Sequence, residues 1–191
     1  VEDVSALDGF LRAAVPSEFG FLLDDGIIRG IGAGEGMLGI LNSGSLVTVA
    51  AEAGQHASIV AENIVSMYSR LLPGSERTAC WLINKNVLSS LYLMSLSVGT
   101  GGAPIFQPSG GLSASPYNQL LGLPVIAIEQ ASALGTVGDI ILTDLVNGYI
   151  LAEKGGIQSA ASIHVRFEFD EQVLRWTYRV SGQPVLAAPI T

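Results

Sequence analysis

Cysteine, histidine and basic residues are scarce in this chain, and each shortage removes a class of chemistry. With a single cysteine, Cys80, there is no intrachain disulfide and no thiolate cluster for a metal. Within the run Ala79-Cys80-Trp81-Leu82 that cysteine reads as a small buried hydrophobe. Only two histidines are present, His56 and His164, and both read as surface or interface residues; no G-x-S-x-G elbow exists to offer them a nucleophile. No catalytic residue, cofactor or metal site is therefore assigned. Nine Lys and Arg against 17 Asp and Glu leave a formal net charge of -8, which argues against a surface that binds nucleic acid by releasing counterions. Charged residues of both signs make up only 14%, and none lies between Lys85 and Glu129. The apolar stretch 87–98 is nevertheless too short to span a bilayer, and 99–108 breaks it with Gly and Pro. No signal peptide or targeting segment is visible. A mean hydropathy of +0.47 exceeds what a lone soluble domain of this size needs, so much of the surface is expected to be covered by neighbours.

Glycine, in contrast, is concentrated in one stretch. From Phe21 to Asn42 an apolar helical face runs into glycines and then into a short aliphatic segment. Gly34-Glu35-Gly36-Met37-Leu38-Gly39 fits the G-x-G-x-x-G spacing that brings a pyrophosphate against backbone N–H groups. That fingerprint needs a buried strand before it and a helix after it, whereas here a helix-patterned segment precedes and Ile40-Leu41-Asn42-Ser43-Gly44-Ser45 follows. Gly26, Gly30, Gly34, Gly36 and Gly39 are accordingly read as serving backbone geometry, since only glycine enters left-handed or crowded conformations freely. Asp24 and Asp25 lack a third oxygen ligand at a recognisable spacing and read as a solvated helix end.

In chain order, Val4, Leu7, Leu11, Val15, Phe19, Leu22 and Leu23 recur at three- and four-residue steps and predict an amphipathic helix to about Asp24. Pro16 should kink or break it, because an interior proline forfeits a hydrogen bond and clashes with the preceding turn. A short strand is predicted over 46–49 and a helix over 57–72, stopped by Pro73-Gly74. A buried strand follows over 79–83, with Asn84 placed to cap a helix carrying Val87, Leu88, Leu91 and Tyr92. Residues 99–116, rich in Gly, Ser and Pro, predict a long loop. Strands are predicted over 124–128, 139–143 and 149–152, with 135–138 as a turn. From Ile163 the pattern becomes alternation: Ile163, Val165, Phe167 and Phe169 on one face, His164, Arg166 and Glu168 on the other. After Asp170-Glu171 it resumes with Leu174, Trp176, Tyr178 and Val180 against Arg175, Thr177 and Arg179, as in a thin sheet wet or partnered on one side.

A series of short motifs, in order, gives these elements a common frame. Leu22-Leu23-Asp24-Asp25-Gly26 leads to Leu38-Gly39-Ile40-Leu41-Asn42; then come Cys80-Trp81-Leu82-Ile83-Asn84, Phe106-Gln107-Pro108, Leu120-Leu121-Gly122-Leu123-Pro124-Val125, Leu134-Gly135 to Gly138-Asp139-Ile140, His164 to Asp170, and Gly182-Gln183-Pro184. In this order and spacing the chain resembles the major capsid proteins of tailed bacteriophages of the Hong Kong 97 type. The resemblance implies an α+β fold. Residues 1–42 would be the spine helix and Gly-rich loop of a peripheral lobe, 43–155 an axial lobe of mixed sheet and helices, 156–180 long strands returning to the peripheral lobe, and 181–191 a C-terminal segment. The flexible arm, hairpin loop and first strand that the family carries ahead of the spine helix do not stand before Val1, so the chain looks like the C-terminal portion of a longer product.

The implied function is that of a structural subunit of a phage or prophage icosahedral capsid, made in a bacterial host cytoplasm and residing in the virion shell around DNA. Its implied partners are copies of itself in pentamers and hexamers, with a scaffold, a maturation protease and a portal; neither a membrane nor a specific nucleic-acid sequence is among them. Arg166, Glu168, Arg175 and Arg179 are the candidate subunit contacts, together with the loop 99–116. An encapsulin-like nanocompartment shell is the alternative. A small nucleotide-binding enzyme, a reading from another class, rests on the Gly34 to Gly39 spacing alone. Calorimetric titration with common nucleotides and dinucleotides should separate it: no saturable heat and no rise in Tm are expected, because a ligand that binds only the folded state must stabilise it. A saturable shift would restore the nucleotide reading.

Overall fold

The computed structural model describes residues 4–34, 36–52, 55, 58–98, 101–104, 119–169 and 171–189. Its first element is a single helix, α1, Val4–Arg29, which runs through Pro16 without interruption and five residues beyond the expected end at Asp24. Pro16 and Arg12 both lie on the exposed side of the helix, the side on which water can take the place of the donor that the carbonyl at position 12 loses. Asp24 and Asp25 therefore lie inside the helix, and Arg29 occupies the last turn, where a cation suits the negative end of the dipole.

The carbonyl end of α1 is closed by the glycine run that follows. Gly30 N–H donates to Gly26 C=O at 3.0 Å, Gly32 N–H to Met37 C=O at 2.9 Å, and Gly39 N–H to Gly30 C=O at 2.7 Å, folding 30–39 into a tight loop. Asn42 then reaches back, its side-chain amide donating to the carbonyls of Arg29 at 2.8 Å and Gly30 at 3.1 Å. A Cβ on Gly39 would sit 2.5 Å from Gly30 N and 2.7 Å from Ile28 O, and one on Gly30 would collide with the carbonyls of Met37 and Gly26. At Gly26 the nearest atom would be Met37 Sδ at 3.0 Å, and at Gly36 it would be Ala33 O at 3.0 Å. Gly34 has open space around it but a φ of +65°.

The core lies in a four-stranded mixed sheet of order β4-β5-β1-β6, formed by β1 (Cys80–Ile83), β4 (Gln119–Leu120), β5 (Leu123–Ala127) and β6 (Ile140–Thr143). β1 runs parallel to β5 and antiparallel to β6. Its continuous apolar run is what a strand between two others requires. Trp81 and Ile83 are fully buried with Val87 and Leu91, and the Trp81 indole N–H is satisfied by Leu120 C=O at 3.0 Å. Leu121 and Gly122, both with positive φ, make the two-residue turn between β4 and β5, a conformation matched to the twist of paired strands.

Helix α2, Ala61–Ser69, is shorter than the 57–72 expected and packs Ile64 into the core. Asn63, in its first turn, accepts from Val60 N–H at 3.3 Å. Asn84 caps as predicted, accepting from Asn86 N–H at 3.0 Å, and a short 3-10 turn leads into α3, Leu88–Leu93. Two expectations fail here. Residues 46–49 form no strand, because none of the strands of the sheet pairs with them. Part of the expected loop is instead β3, Gly101–Pro104, paired antiparallel with β2, Ser95–Val98; the rest of it, 99–100 and 105–116 with Phe106-Gln107-Pro108, lies outside the described residues, as does His56.

The C-terminal third is a long antiparallel ribbon. A short helix, α4 (Leu145–Gly148), precedes β7 (Tyr149–Glu153), which pairs with β10 (Val180–Pro184), while β8 (Gln158–Arg166) pairs with β9 (Glu171–Thr177). Strand β8 thus begins before the predicted Ile163, Phe167–Phe169 forms a 3-10 turn and not strand, and Val180 belongs to β10. Twice the first strand carries more residues than the second. Residues 154–157, with Gly155 and Gly156 at positive φ, face 178–179, and the register shifts again between Ser162 and Arg166. Such bulges bend and twist a ribbon locally.

The ribbon is tied to the end of α1. Leu38 N–H donates to Gly182 C=O at 2.9 Å, and Tyr149 Oη donates to Leu38 C=O at 3.1 Å. The Tyr149 ring crosses Gly182 so closely that a Cβ there would lie 2.7 Å from it. Farther along, Phe19 and Tyr178 meet with ring centroids 5.8 Å apart. Because the crossing of Gly39 over Gly30 leaves no room for a methyl group, Gly39→Ala is expected to destabilise the chain by about 1–3 kcal/mol, the usual cost of overpacking. Gly34→Ala, strained but unobstructed, should cost less than Gly39→Ala. Urea unfolding of the two variants beside the parent checks the order, and equal midpoints for all three would contradict it.

Candidate assembly surfaces

The candidate contact residues all lie on the ribbon, and all four are exposed. Arg166 ends β8 and pairs with Glu171 at 3.1 Å, an exposed ion pair worth about 0–1 kcal/mol. Glu168 stands in the terminal 3-10 turn. Arg175 lies in β9 opposite Ala160, and Arg179 sits in the link to β10, where its carbonyl accepts Lys154 N–H at 3.0 Å. The fold therefore does not gather them into one cluster. Arg166 and Glu168 mark the far end of the ribbon, and Arg175 and Arg179 flank its middle, where β9 gives way to β10.

The apolar side chains of the same segment are the larger surprise. Ile163, Val165, Phe167 and Phe169, which alternation assigns to one apolar face, are all four exposed, Phe167 by 77% and Phe169 by 69%. On β9 and beyond, Leu174, Trp176 and Tyr178 are only half-buried. On α1, Leu7, Phe10, Phe21 and Leu22 are exposed as well. Single exposed hydrophobes need no explanation, but here four large ones fall between residues 163 and 169 at the end of one hairpin. Alternation in the sequence identifies these residues as apolar-facing and cannot say whether the covering surface belongs to the same chain.

A second group of polar residues has a structural character. Asp144, buried, accepts from the N–H groups of Val146 at 3.1 Å and Asn147 at 3.2 Å, from Thr78 Oγ1 at 2.8 Å and from Asn147 Nδ2 at 3.0 Å. Burial pushes its carboxyl up, but the hydrogen bonds from Asn147, Thr78 and Ser75 together outweigh burial and bring it down to about 2. This joins the start of α4 to the turn before β1. The Asp-Leu-Val-Asn spacing of an N-cap could have shown it in the sequence. Nearby, burial and then the Asp144 charge push the Cys80 thiol up, away from reactivity. Partial burial raises the Tyr149 hydroxyl likewise. Among the described residues no three His, Cys, Asp or Glu side chains are grouped to hold a metal, and no helix is long and apolar enough to cross a membrane. Gly34 to Gly39 neither follow a strand nor open a helix, since only a three-residue 3-10 turn comes next.

Comparison with known proteins is consistent across the chain. The family model of the phage capsid family matches residues 1–191. Among solved structures, the fold is similar to the capsid of an empty GTA particle, with a TM-score of 0.71 and 18% identity over 95% of this chain. It is equally similar to the capsid of a native GTA particle, with a TM-score of 0.71 and 18% identity over 96%. The chain spans 64% of the length of each of those two chains. No curated protein matches it.

The Asp144 cluster yields a test with a defined sign. Asp144→Ala removes a helix cap and the acceptor for Thr78, and is expected to destabilise by about 0.5–2 kcal/mol at neutral pH. Since the folded carboxyl lies at about 2 against an ordinary 3.8, the stabilisation it supplies is complete above about pH 4 and is lost as pH falls toward 2. The gap between variant and parent in thermal unfolding should therefore narrow over that window. A gap that stays constant or widens on acidification would contradict the assignment.

Proposed function

The chain belongs to the phage capsid family, and on that footing we propose that it is a structural subunit of an icosahedral shell of the Hong Kong 97 type, which assembles with copies of itself into pentamers and hexamers around phage or prophage DNA. The observation that carries this reading is the ribbon: it holds large apolar side chains and exposed arginines away from the chain's own core, where another subunit can cover them. In shells of this kind the same heterologous contact is repeated until rings close and rings tile a surface.

On this reading residues 1–42 and 156–180 make a peripheral lobe, built on the continuous helix α1 and the ribbon, and residues 43–155 make an axial lobe around the mixed sheet. The C-terminal segment 181–191 begins within β10. A scaffold, a maturation protease and a portal complete the partners, and the virion capsid is the location. The work is done by assembly, and no catalytic role is assigned to any side chain.

The two arginines at the middle of the ribbon provide the test. If Arg175 and Arg179 meet acidic groups of a neighbouring subunit, then reversing both to glutamate in the intact capsid subunit sets like charges together at every symmetry copy of the contact. Exposed substitutions away from special features change stability by only about 0.5 kcal/mol, so the subunit itself should melt near its normal temperature. The expected outcome is a soluble R175E/R179E variant with little or no shell formation on sedimentation beside the parent. Normal shells from that variant would show that the two arginines are ordinary solvated charges.

A further inference from the structure

The expected strand at 46–49 leaves a space where it would have been. A cavity of about 530 Å³ lies between segment 46–51 and the outer edge of β6, walled by Leu41, Val47, Val49, Val137, Ile140 and Leu142 among others. Its walls are mainly aliphatic side chains. Val47 is 43% exposed despite lining it.

Both walls also carry unpaired backbone. The Ile83 carbonyl accepts Ile128 N–H at 2.8 Å, so the main-chain groups of Ile83 face the β5 side of β1. The facing pair Ile83 and Ile140 is then one of the non-hydrogen-bonded pairs of the antiparallel ladder, and Ile140 turns its own groups outward. With a period of two, Leu142 does the same. Asp139 Oδ1 takes the Ile140 N–H at 2.8 Å, but Leu142 has no backbone partner on that edge among the described residues. Across the cavity, Leu46 N–H is used by Ser43 C=O at 3.2 Å and Ala50 C=O by the Asn63 side chain at 3.3 Å. Between them Val47, Thr48 and Val49, two of the three being valine and all β-branched, have no backbone partner among the described residues.

We propose that residues 46–49 are a strap with a second position, in which they join the outer edge of β6 as a fifth strand beside Leu142 and close the cavity. The geometry of the two ends suits a movement confined to the middle. Upstream, Ser45 N–H donates to Ser43 Oγ at 3.1 Å, and Gly44 sits where a Cβ would lie 2.5 Å from the Ala187 carbonyl. Downstream, Gln55 N–H returns to Glu52 C=O at 3.0 Å. Closure would satisfy main-chain groups on both walls, bury the Val47 side chain and expel water from an aliphatic surface. It would also fasten the chain just beyond Asn42 to the sheet. The strap is thus a lock between the α1 crossing and the core, built on local pairing that needs no partner molecule.

Hydrogen exchange on the unmodified protein reads the closed state directly. The Leu142 amide and alternate amides of 47–49 are expected to exchange at least about tenfold more slowly than amides of an open segment, which is the protection of a state favoured about ten to one. One of Val47→Pro and Thr48→Pro, whichever removes a ladder N–H, should abolish the protection of Leu142. As a second readout, Val47→Cys with Leu142→Cys, in a Cys80→Ser background, should form a disulfide under mild oxidation, since closure brings the two Cα atoms within about 7 Å. Uniformly fast exchange across 47–49 and Leu142, or two thiols that stay free in a folded double variant, would overturn the proposal.

Discussion

Everything in this chain hangs on how the carbonyl end of one helix is satisfied. A 26-residue helix leaves its last carbonyls without partners inside the helix, and here Arg29 C=O is taken by the side chain of Asn42, while Gly30 C=O, just past the end, is taken by that side chain and by Gly39 N–H. That solution requires two segments of backbone to cross in near contact, which Gly30 and Gly39 alone permit. Once made, the crossing presents Leu38 to Gly182 and to the hydroxyl of Tyr149. Three parts of the molecule distant in sequence therefore meet at one point, and the direction of the ribbon relative to α1 follows from it.

The rest divides into a part that buries its own apolar surface and a part that does not. Around β1 the burial is complete at Trp81, Ile83, Val87 and Leu91, each removing about 1.5–3 kcal/mol worth of apolar side chain from water. The ribbon and the outer face of α1 keep comparable side chains in solvent. The ion pairs there, Arg12 with Asp8 and Arg166 with Glu171, are exposed and hold little energy, so they are easily exchanged for contacts with a neighbour. Exposed apolar side chains of this size are what a partner surface would cover, and on the reading proposed above that partner is another copy of the chain.

Periodicity and composition determined much of this by themselves. The helical repeat from Leu7 to Leu23, the buried run at Cys80 to Ile83, the cap at Asn84 and the glycine demand at Gly30 and Gly39 are local facts, set by backbone sterics and side-chain shape, and each is found in the fold. The order of short motifs carried the family. Tertiary structure decided the remainder. That α1 runs unbroken through Pro16 is seen only in the fold. Whether 46–49 became a strand depended on the approach of an edge that lies some ninety residues away in sequence. The pairing of β7 with β10 joins residues about thirty apart, and the exposure of Phe167 and Phe169 reflects what the chain does not place over them. Alternation states which way a side chain points, but burial is a property of whatever stands opposite, and for this ribbon that is not within the same chain's core.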